Sequence, residues 1–263
     1  MPESEISGEP RRSRTSGIVL LLLGSLILLS IVCRIVFYHF DYDPVYWPYD
    51  YGRWNYFSYF TVLSNLLAAC YLLLYGAAAY GGKTAKKLTD PPLVGLSVTT
   101  YMIVTGLVYN GGIPLGFTPP LTWDTSFRIM LSCVQILHHM IVPVAMIVLW
   151  VLRRSDSRLS YRLVLPVMLF PAVYSVCSIV RGDHMQPRYY PYPFYDASYI
   201  HQVVFGDKVC SVVWDYVITA AVLAVGIWLF AAVAALLIRI RNHRVKQTAV
   251  LSEVKLQQTP ATV

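Results

Sequence analysis

Three hydrogen-bonding side chains stand close together near the start of the apolar segment 57–80: Thr61, Ser64 and Asn65. Thr61 and Asn65 are four residues apart with Ser64 between them, so on an α-helix the three share one face. A threonine hydroxyl is a weak nucleophile until a neighbouring base takes its proton. With such a base opposite, Thr61 would act as nucleophile, while Ser64 and Asn65 would orient groups or stabilise an oxyanion.

Two adjacent histidines in the apolar segment 127–152 are the candidate bases. Gln135, His139 and Pro143 follow one another at four-residue spacing and form one helical stripe, whereas His138 points about 100° away. This periodicity favours His139 as the inward histidine and Gln135 as a pocket residue, and both histidines stay candidates for the base. Pro143 is expected to kink the helix and to free a carbonyl near His139.

The same polar groups also fit a protein without catalytic activity. Polar side chains hydrogen-bond across contacts between transmembrane helices. Thr61, Asn65 and His139 would then form a buried network in a sensor, scaffold or transporter, with a histidine that responds to pH. Counted along each segment, Thr61 lies about one turn deep and His139 about three turns deep, so tilt and helix ends decide whether they meet.

The composition of the chain indicates that these residues lie in a membrane. Of the 263 residues, 56% are hydrophobic and 13% are charged, against about 25% charged in soluble domains. A membrane-crossing helix needs about 20 mostly apolar residues, and the segments that qualify are 17–38, 57–80, 92–115, 127–152, 161–180 and 211–238. We therefore predict an all-α integral membrane protein with six transmembrane helices in one domain, 17–241, between disordered ends at 1–16 and 242–263.

The distribution of charge predicts the orientation of the chain. Fifteen of its 21 Lys and Arg residues fall in the four segments that share a side with both termini, which the positive-inside rule places in the cytoplasm. These residues gather in loops and form no stripe with interleaved aromatics, so nucleic acid is excluded as a partner. The two long loops on the other side are too rich in aromatics for disorder, and we expect them to form an ordered outer cap.

Neither a metal site nor a cofactor site is predicted. The five cysteines lack C-x-x-C spacing and are expected as buried apolar side chains. The residues of the second outer loop that are able to bind a metal match no standard zinc pattern; they are Asp183, His184, Asp196 and His201. Asp215, at the start of the sixth segment, is expected to pair with an outer-loop arginine such as Arg181 or Arg188.

Three stretches, "FSYFTVLSNLL", "LHHMIVP" and "YYPYPFYD", together resemble the bacterial six-span family labelled Pr-six-Pr. Their order and spacing match that family, and the resemblance covers most of 53–215. The family is distantly similar to the eukaryotic androgen-induced membrane proteins, which are intramembrane threonine hydrolases that cleave fatty acid esters of hydroxy fatty acids. The resemblance implies a bacterial plasma-membrane protein that hydrolyses a lipid ester, with Thr61 as nucleophile and His138 or His139 as base.

Overall fold

The structure of the protein is a computed structural model that describes residues 14–37, 52–114, 118, 121–153, 157–206 and 212–258. These residues contain six helices long and apolar enough to cross a membrane, so the prediction of an all-helical chain with six candidate spans is confirmed. We number them span 1 to span 6, and their bounds are Arg14–Val36, Phe60–Ala78, Pro92–Gly112, Ser126–Leu152, Tyr161–His184 and Val212–Gln258.

Shorter helices connect the spans. They are the 3-10 helices Arg53–Ser58 and Pro193–Tyr195 and the α-helices Lys83–Thr89 and Ala197–Phe205. We call the end of the bundle where span 2 begins and span 5 ends the outer end, and the opposite end the inner end. Most of the first outer loop, and residues 1–13 of the predicted disordered end at 1–16, lie outside the described residues. Residues 14–16 belong to the helix of span 1, so the prediction of disorder is wrong there.

Span 3 lies at the centre of the bundle. It contacts spans 2, 4, 5 and 6. On one side Met102, which is fully buried, packs with Ile27 of span 1 and Leu72 of span 2. On the other side the Tyr101 ring lies 5.9 Å from that of Phe60, in a cluster that continues into spans 5 and 6. Residues of span 3 therefore belong to both hydrophobic clusters, which fixes the neighbouring spans around it.

Large apolar side chains cover the outside of the bundle. Leu22, Leu165 and Trp228 are 66%, 75% and 68% exposed, and every span carries large apolar side chains that are exposed, whereas soluble monomers rarely expose large continuous apolar surfaces. Cys70, Cys133 and Cys177 lie on this exposed surface, so the prediction that the cysteines in the spans are buried is wrong. Lipid accepts a small apolar side chain as readily as a protein core does, and sequence polarity therefore cannot separate the two environments.

Span 6 is longer than predicted. Its helix continues to Gln258, whereas the sequence predicts a disordered end from residue 242 onwards. The Asn242 side chain donates to the Leu159 carbonyl at 2.9 Å and accepts from the Leu159 N–H at 2.7 Å. These two bonds tie the helix to the chain that enters span 5, a tertiary contact that the polarity of this segment does not reveal.

Candidate functional site

Span 4 contains a wide π-helical turn at Leu137–Ile141, which includes both histidines. The Val142 N–H bonds to the Leu137 carbonyl and so bypasses the carbonyl of His138. The next residue, Pro143, has no N–H to offer the carbonyl of His139. The turn thus removes the α-helical partners of two successive carbonyls, in agreement with the predicted effect of Pro143.

Two asparagines from neighbouring spans bond to these carbonyls. The Asn65 amide nitrogen of span 2 lies 3.4 Å from the His138 oxygen and 2.9 Å from the Thr61 oxygen. The Asn110 amide nitrogen of span 3 lies 3.1 Å from the His139 oxygen and 2.7 Å from that of its own span's Gly106. An amide group has two N–H donors, so each asparagine can serve both of its carbonyls. The two side chains hold span 4 against spans 2 and 3.

Gly106 allows this close approach of spans 3 and 4. A Cβ atom at this position would lie 3.0 Å from the His139 carbonyl oxygen and 3.2 Å from the Pro143 ring. Such contacts are tighter than packed side chains normally make. The absence of a side chain at residue 106 therefore lets Asn110, one turn further along span 3, reach the freed carbonyl.

His139 is buried, and a backbone contact sets its tautomer. Its Nδ1 lies 3.0 Å from the Gln135 carbonyl oxygen, which can only accept, so Nδ1 carries the proton and Nε2 has a free lone pair. The imidazole stacks on Tyr109 of span 3, with ring centroids 3.6 Å apart and planes inclined by 14°. In this form His139 can accept a proton at Nε2, as a general base must.

His138 is also buried, and its partner is Ser30 of span 1. Its Nε2 lies 2.7 Å from the Ser30 hydroxyl oxygen. That hydroxyl donates its single proton to the Ile27 carbonyl at 2.7 Å, so His138 donates from Nε2 to Ser30. Periodicity favoured one inward histidine, but the bundle leaves His138 and His139 only 2% and 5% exposed, because spans 1 and 3 each receive one ring.

Ser30 was not predicted as a site residue. It lies in the apolar run of span 1, and the polar residue at helical spacing from it, Arg34, belongs to the last turn of the helix. The only signal in the sequence is that a hydroxyl in a lipid-spanning helix needs a partner. The identity of that partner depends on the packing of span 1 beside span 4.

Thr61 lies half-buried at the outer start of span 2, where its hydroxyl meets a tyrosine. Its Oγ1 is 3.3 Å from the Tyr192 hydroxyl oxygen, to which its backbone N–H also donates at 3.2 Å. Burial raises the pKa of Tyr192 above its ordinary value, so this phenol stays neutral and able to donate. Within the described residues, the Thr61 hydroxyl makes no hydrogen bond to either imidazole, and the Thr–His pair stays a prediction.

Thr61 and the histidines nevertheless lie at a similar depth in the bundle. One amide nitrogen, that of Asn65, bonds to the carbonyls of both Thr61 and His138. Span 3 shows the same relation, because Thr105 contacts Ser64 at 3.0 Å and Tyr109, one turn away, stacks on His139. Depth counted in residues along each span exaggerates the separation between Thr61 and His139, because the spans do not begin at the same level in the bundle.

The three predicted orienting residues have different surroundings. Ser64 is fully buried and donates to the Thr61 carbonyl at 3.0 Å. Gln135 is half-buried, and its contribution to the site is the backbone carbonyl that accepts from His139. The side-chain oxygen of Asn65 is buried and has no hydrogen-bond partner among the described residues. An unfilled buried acceptor costs about 1–3 kcal/mol, and the packing around Asn65, which is 0% exposed, leaves this oxygen without a partner.

Two tyrosines satisfy the first N–H groups of span 2. Phe60 donates to the Tyr174 hydroxyl at 3.0 Å, and Thr61 donates to that of Tyr192 at 3.2 Å. The N-cap residue, Tyr59, offers no side-chain cap of its own. These bonds bring "FSYFT" of span 2 against "YYPYPFY" of the second outer loop, so two of the three stretches that carry the family resemblance are in contact.

Asp215 pairs with a histidine. Its carboxylate lies 2.5 Å from Nδ1 of His201, which the short helix Ala197–Phe205 places beside the start of span 6. The predicted pairing with an arginine is wrong, since Arg181 donates to Asn55 and Arg188 has other contacts. In the part of the chain that the structure describes, no three potential metal ligands lie together.

No protein-family model, curated protein or solved structure matches this chain. The similarity to the Pr-six-Pr proteins therefore stays a prediction that rests on the three sequence stretches.

Proposed function

We propose that the protein is an intramembrane hydrolase that cleaves a lipid ester, with Thr61 as nucleophile and His139 as general base. The observation that carries this proposal is the position of Asn65, whose amide bonds to the backbone of Thr61 and to that of the histidine pair. The tautomer of His139 adds support, because its unprotonated Nε2 is the form a base requires.

In the proposed reaction the Thr61 oxygen attacks the ester carbonyl, and the hydroxyl proton passes to Nε2 of His139. The alcohol leaves with that proton. Water then attacks the acyl-threonine, and His139 takes the proton of the water and returns it to the Thr61 oxygen as the acid is released. Proton transfer needs a separation of about 3 Å or one bridging water. We assign the transfer to one bridging water, which would accept from the Thr61 hydroxyl and donate to Nε2 of His139. The neutral Tyr192 phenol would donate to the developing oxyanion.

His139 is a better candidate base than His138. The Nε2 proton of His138 is engaged with Ser30 on the side of span 1, away from Asn110 and Tyr109, which surround His139. The substrate would be a lipid ester that enters from the bilayer between the spans, because the site is formed by the spans themselves. The proposed reaction uses no cofactor and involves no nucleic acid.

A fluorophosphonate probe, which phosphonylates activated hydroxyl nucleophiles with loss of fluoride, tests the proposal. We expect the purified protein to be labelled, Thr61→Ala to abolish the label, and His139→Gln to slow labelling by about 10²–10⁴-fold. Thr100→Val is the matched control, because the Thr100 hydroxyl is buried on span 3 without a hydrogen-bond partner among the described residues. Labelling that persists in Thr61→Ala would remove Thr61 from the chemistry.

A second candidate is a non-enzymatic sensor, scaffold or transporter with a buried polar network. The observation that favours it is the use of the polar side chains: Asn65, Ser64 and His139 all bond to backbone carbonyls, and the Thr61 hydroxyl contacts Tyr192. On this alternative the wild-type protein carries no label and turns over no lipid ester, while His139→Ala lowers its unfolding temperature.

We also propose a place and an orientation for the protein: the bacterial plasma membrane, with both termini in the cytoplasm. The inner end of the bundle carries the greater share of Lys and Arg residues, including Lys83, Arg153 and Arg239, which supports this orientation.

A further inference from the structure

A cleft of about 700 Å³ lies at the inner end of the bundle, between span 6 and the chain that enters span 5. Four basic and two aliphatic side chains contribute to its walls: Arg158, Arg239, Arg244, Lys246, Leu236 and Ile240. The cleft is at the opposite end of the bundle from Thr61, and nothing in the proposed hydrolysis uses it.

Within the described parts of the chain, the basic side chains of the cleft have no counter-charges. Among the described residues, none of the four has an ion pair, and no Asp or Glu is found in the cleft wall. Several like charges around one cavity create a positive potential that attracts an anion. A negatively charged ligand would therefore balance these four charges. Arg and Lys are the usual partners of phosphate groups in proteins.

The depth of the cleft indicates a ligand that belongs to the membrane. Span 6 has no charged residue from 217 to 238, and Arg239 is the first charge after that stretch. Arg239 therefore marks the level where the helix leaves the hydrocarbon. Leu236 and Ile240 are four residues apart and share a face of the helix within the cleft. An anionic group at the arginines would thus continue into an apolar portion beside these two side chains.

The wall opposite span 6 is fixed in place. Leu159 is buried in the core cluster that includes Ile238, and both of its backbone polar groups bond to the Asn242 side chain. Arg158 and Tyr161, on either side of Leu159, are thereby held facing span 6. A preformed cleft loses little entropy when it takes up a ligand.

We propose that this cleft binds the headgroup of an anionic phospholipid, with the phosphate on the basic side chains and the first acyl carbons against Leu236 and Ile240. A soluble phosphate compound would satisfy the arginines but would leave the aliphatic wall uncovered. The proposal is independent of the hydrolase activity, and Thr61→Ala should bind the lipid as the wild-type protein does.

Native mass spectrometry of the full chain in detergent tests the proposal, with equal amounts of phosphatidylglycerol and phosphatidylcholine and with glycerol phosphate as a soluble competitor. We expect phosphatidylglycerol to be retained over phosphatidylcholine, and a large excess of glycerol phosphate to leave it bound. Arg239→Gln and Lys246→Gln should each lower the affinity for phosphatidylglycerol about fivefold, as expected for one basic residue at an anionic lipid surface.

Arg162→Gln is the matched control, because Arg162 is exposed near the same chain segment but does not contribute to the cleft wall. Its affinity for phosphatidylglycerol should equal that of the wild-type protein. Three results would each overturn the lipid site. They are equal retention of the two lipids, a loss of phosphatidylglycerol affinity in Arg162→Gln equal to that in Arg239→Gln, and full displacement of the lipid by glycerol phosphate. Gel filtration of every variant separates lost binding from lost folding, and Lys246→Gln, on an exposed turn of span 6, keeps the test decisive if Arg239→Gln does not fold.

Discussion

Asn65 and Asn110 show how a single amide can serve two purposes inside a membrane bundle. Each bonds to a carbonyl of its own helix and to a histidine carbonyl of span 4. Unsatisfied backbone groups are costly where no water reaches them. The wide turn of span 4 is therefore stable because its neighbours supply the missing donors, and the imidazoles it carries acquire fixed positions.

The role of Asn110 predicts a coupling with Pro143. Asn110→Ala should lower the free energy of unfolding by about 1–3 kcal/mol, because the His139 carbonyl loses its donor. In a Pro143→Ala background the same change should cost less, since the new N–H of residue 143 can reach that carbonyl. Thermal unfolding in detergent of the two single variants and the double variant measures the coupling.

Asn242→Ala is the control for this cycle. Asn242 also bonds to backbone groups, but those of Leu159 at the inner end, so Pro143→Ala should leave its cost unchanged. An equal cost of Asn110→Ala in both backgrounds would mean that the proline does not create the need for Asn110.

At the scale of elements, the start of span 2 depends on the second outer loop. Tyr192 caps the helix at Thr61, while Tyr195, in the same 3-10 turn, is buried and bonds to Ser175 of span 5 at 3.1 Å. The loop thus links spans 2 and 5 through phenol groups. A helix start without a serine, threonine, aspartate or asparagine cap is stable here because another element supplies the acceptors.

These buried phenols predict a loss of stability at alkaline pH. Burial raises the pKa of Tyr195 to about 12, whereas an unfolded tyrosine ionises near pH 10. Because the folded pKa is the higher one, the contribution of Tyr195 is complete below pH 10 and is lost as the pH rises from about 10 to about 12. Unfolding temperatures across this range should fall, and Tyr195→Phe should flatten the decline.

Tyr161→Phe provides the comparison for this profile, because Tyr161 is 54% exposed at the inner end and its removal should leave the decline unchanged. If Tyr195→Phe declined as steeply as the wild-type protein, the alkaline transition would belong to other groups.

At the scale of the whole molecule, the proposed reactive site and the basic cleft lie towards opposite ends of the bundle. The proposed reactive site lies towards the outer end, where Thr61 meets Tyr192, and the basic cleft lies at the inner end. This division follows the orientation proposed for the chain, because a cluster of arginines is favoured beside the anionic cytoplasmic leaflet.

Site-directed labelling tests that orientation. In a variant without native cysteines, a membrane-impermeant maleimide added to intact spheroplasts should label Trp123→Cys at the outer end and spare Lys87→Cys at the inner end. Both positions are exposed, so permeabilised cells should show equal labelling and serve as the control. The reverse pattern in intact spheroplasts would place the termini outside.

The number of spans and the approximate limits of the first five could be predicted from sequence, because about 20 consecutive apolar residues have one stable arrangement in lipid. The end of span 6 could not, because its last turns are polar. Helical spacing likewise predicted the polar face of Thr61, Ser64 and Asn65, and the missing N–H of Pro143 predicted a freed carbonyl near His139. Only the tertiary structure decided that both histidines are buried, that Ser30 receives His138, that Tyr192 meets Thr61 and that Asp215 pairs with His201. Periodicity gives the direction of a side chain on its own helix, whereas its partner depends on which helix lies opposite and at what depth, and nearly uniform apolar segments leave both undetermined.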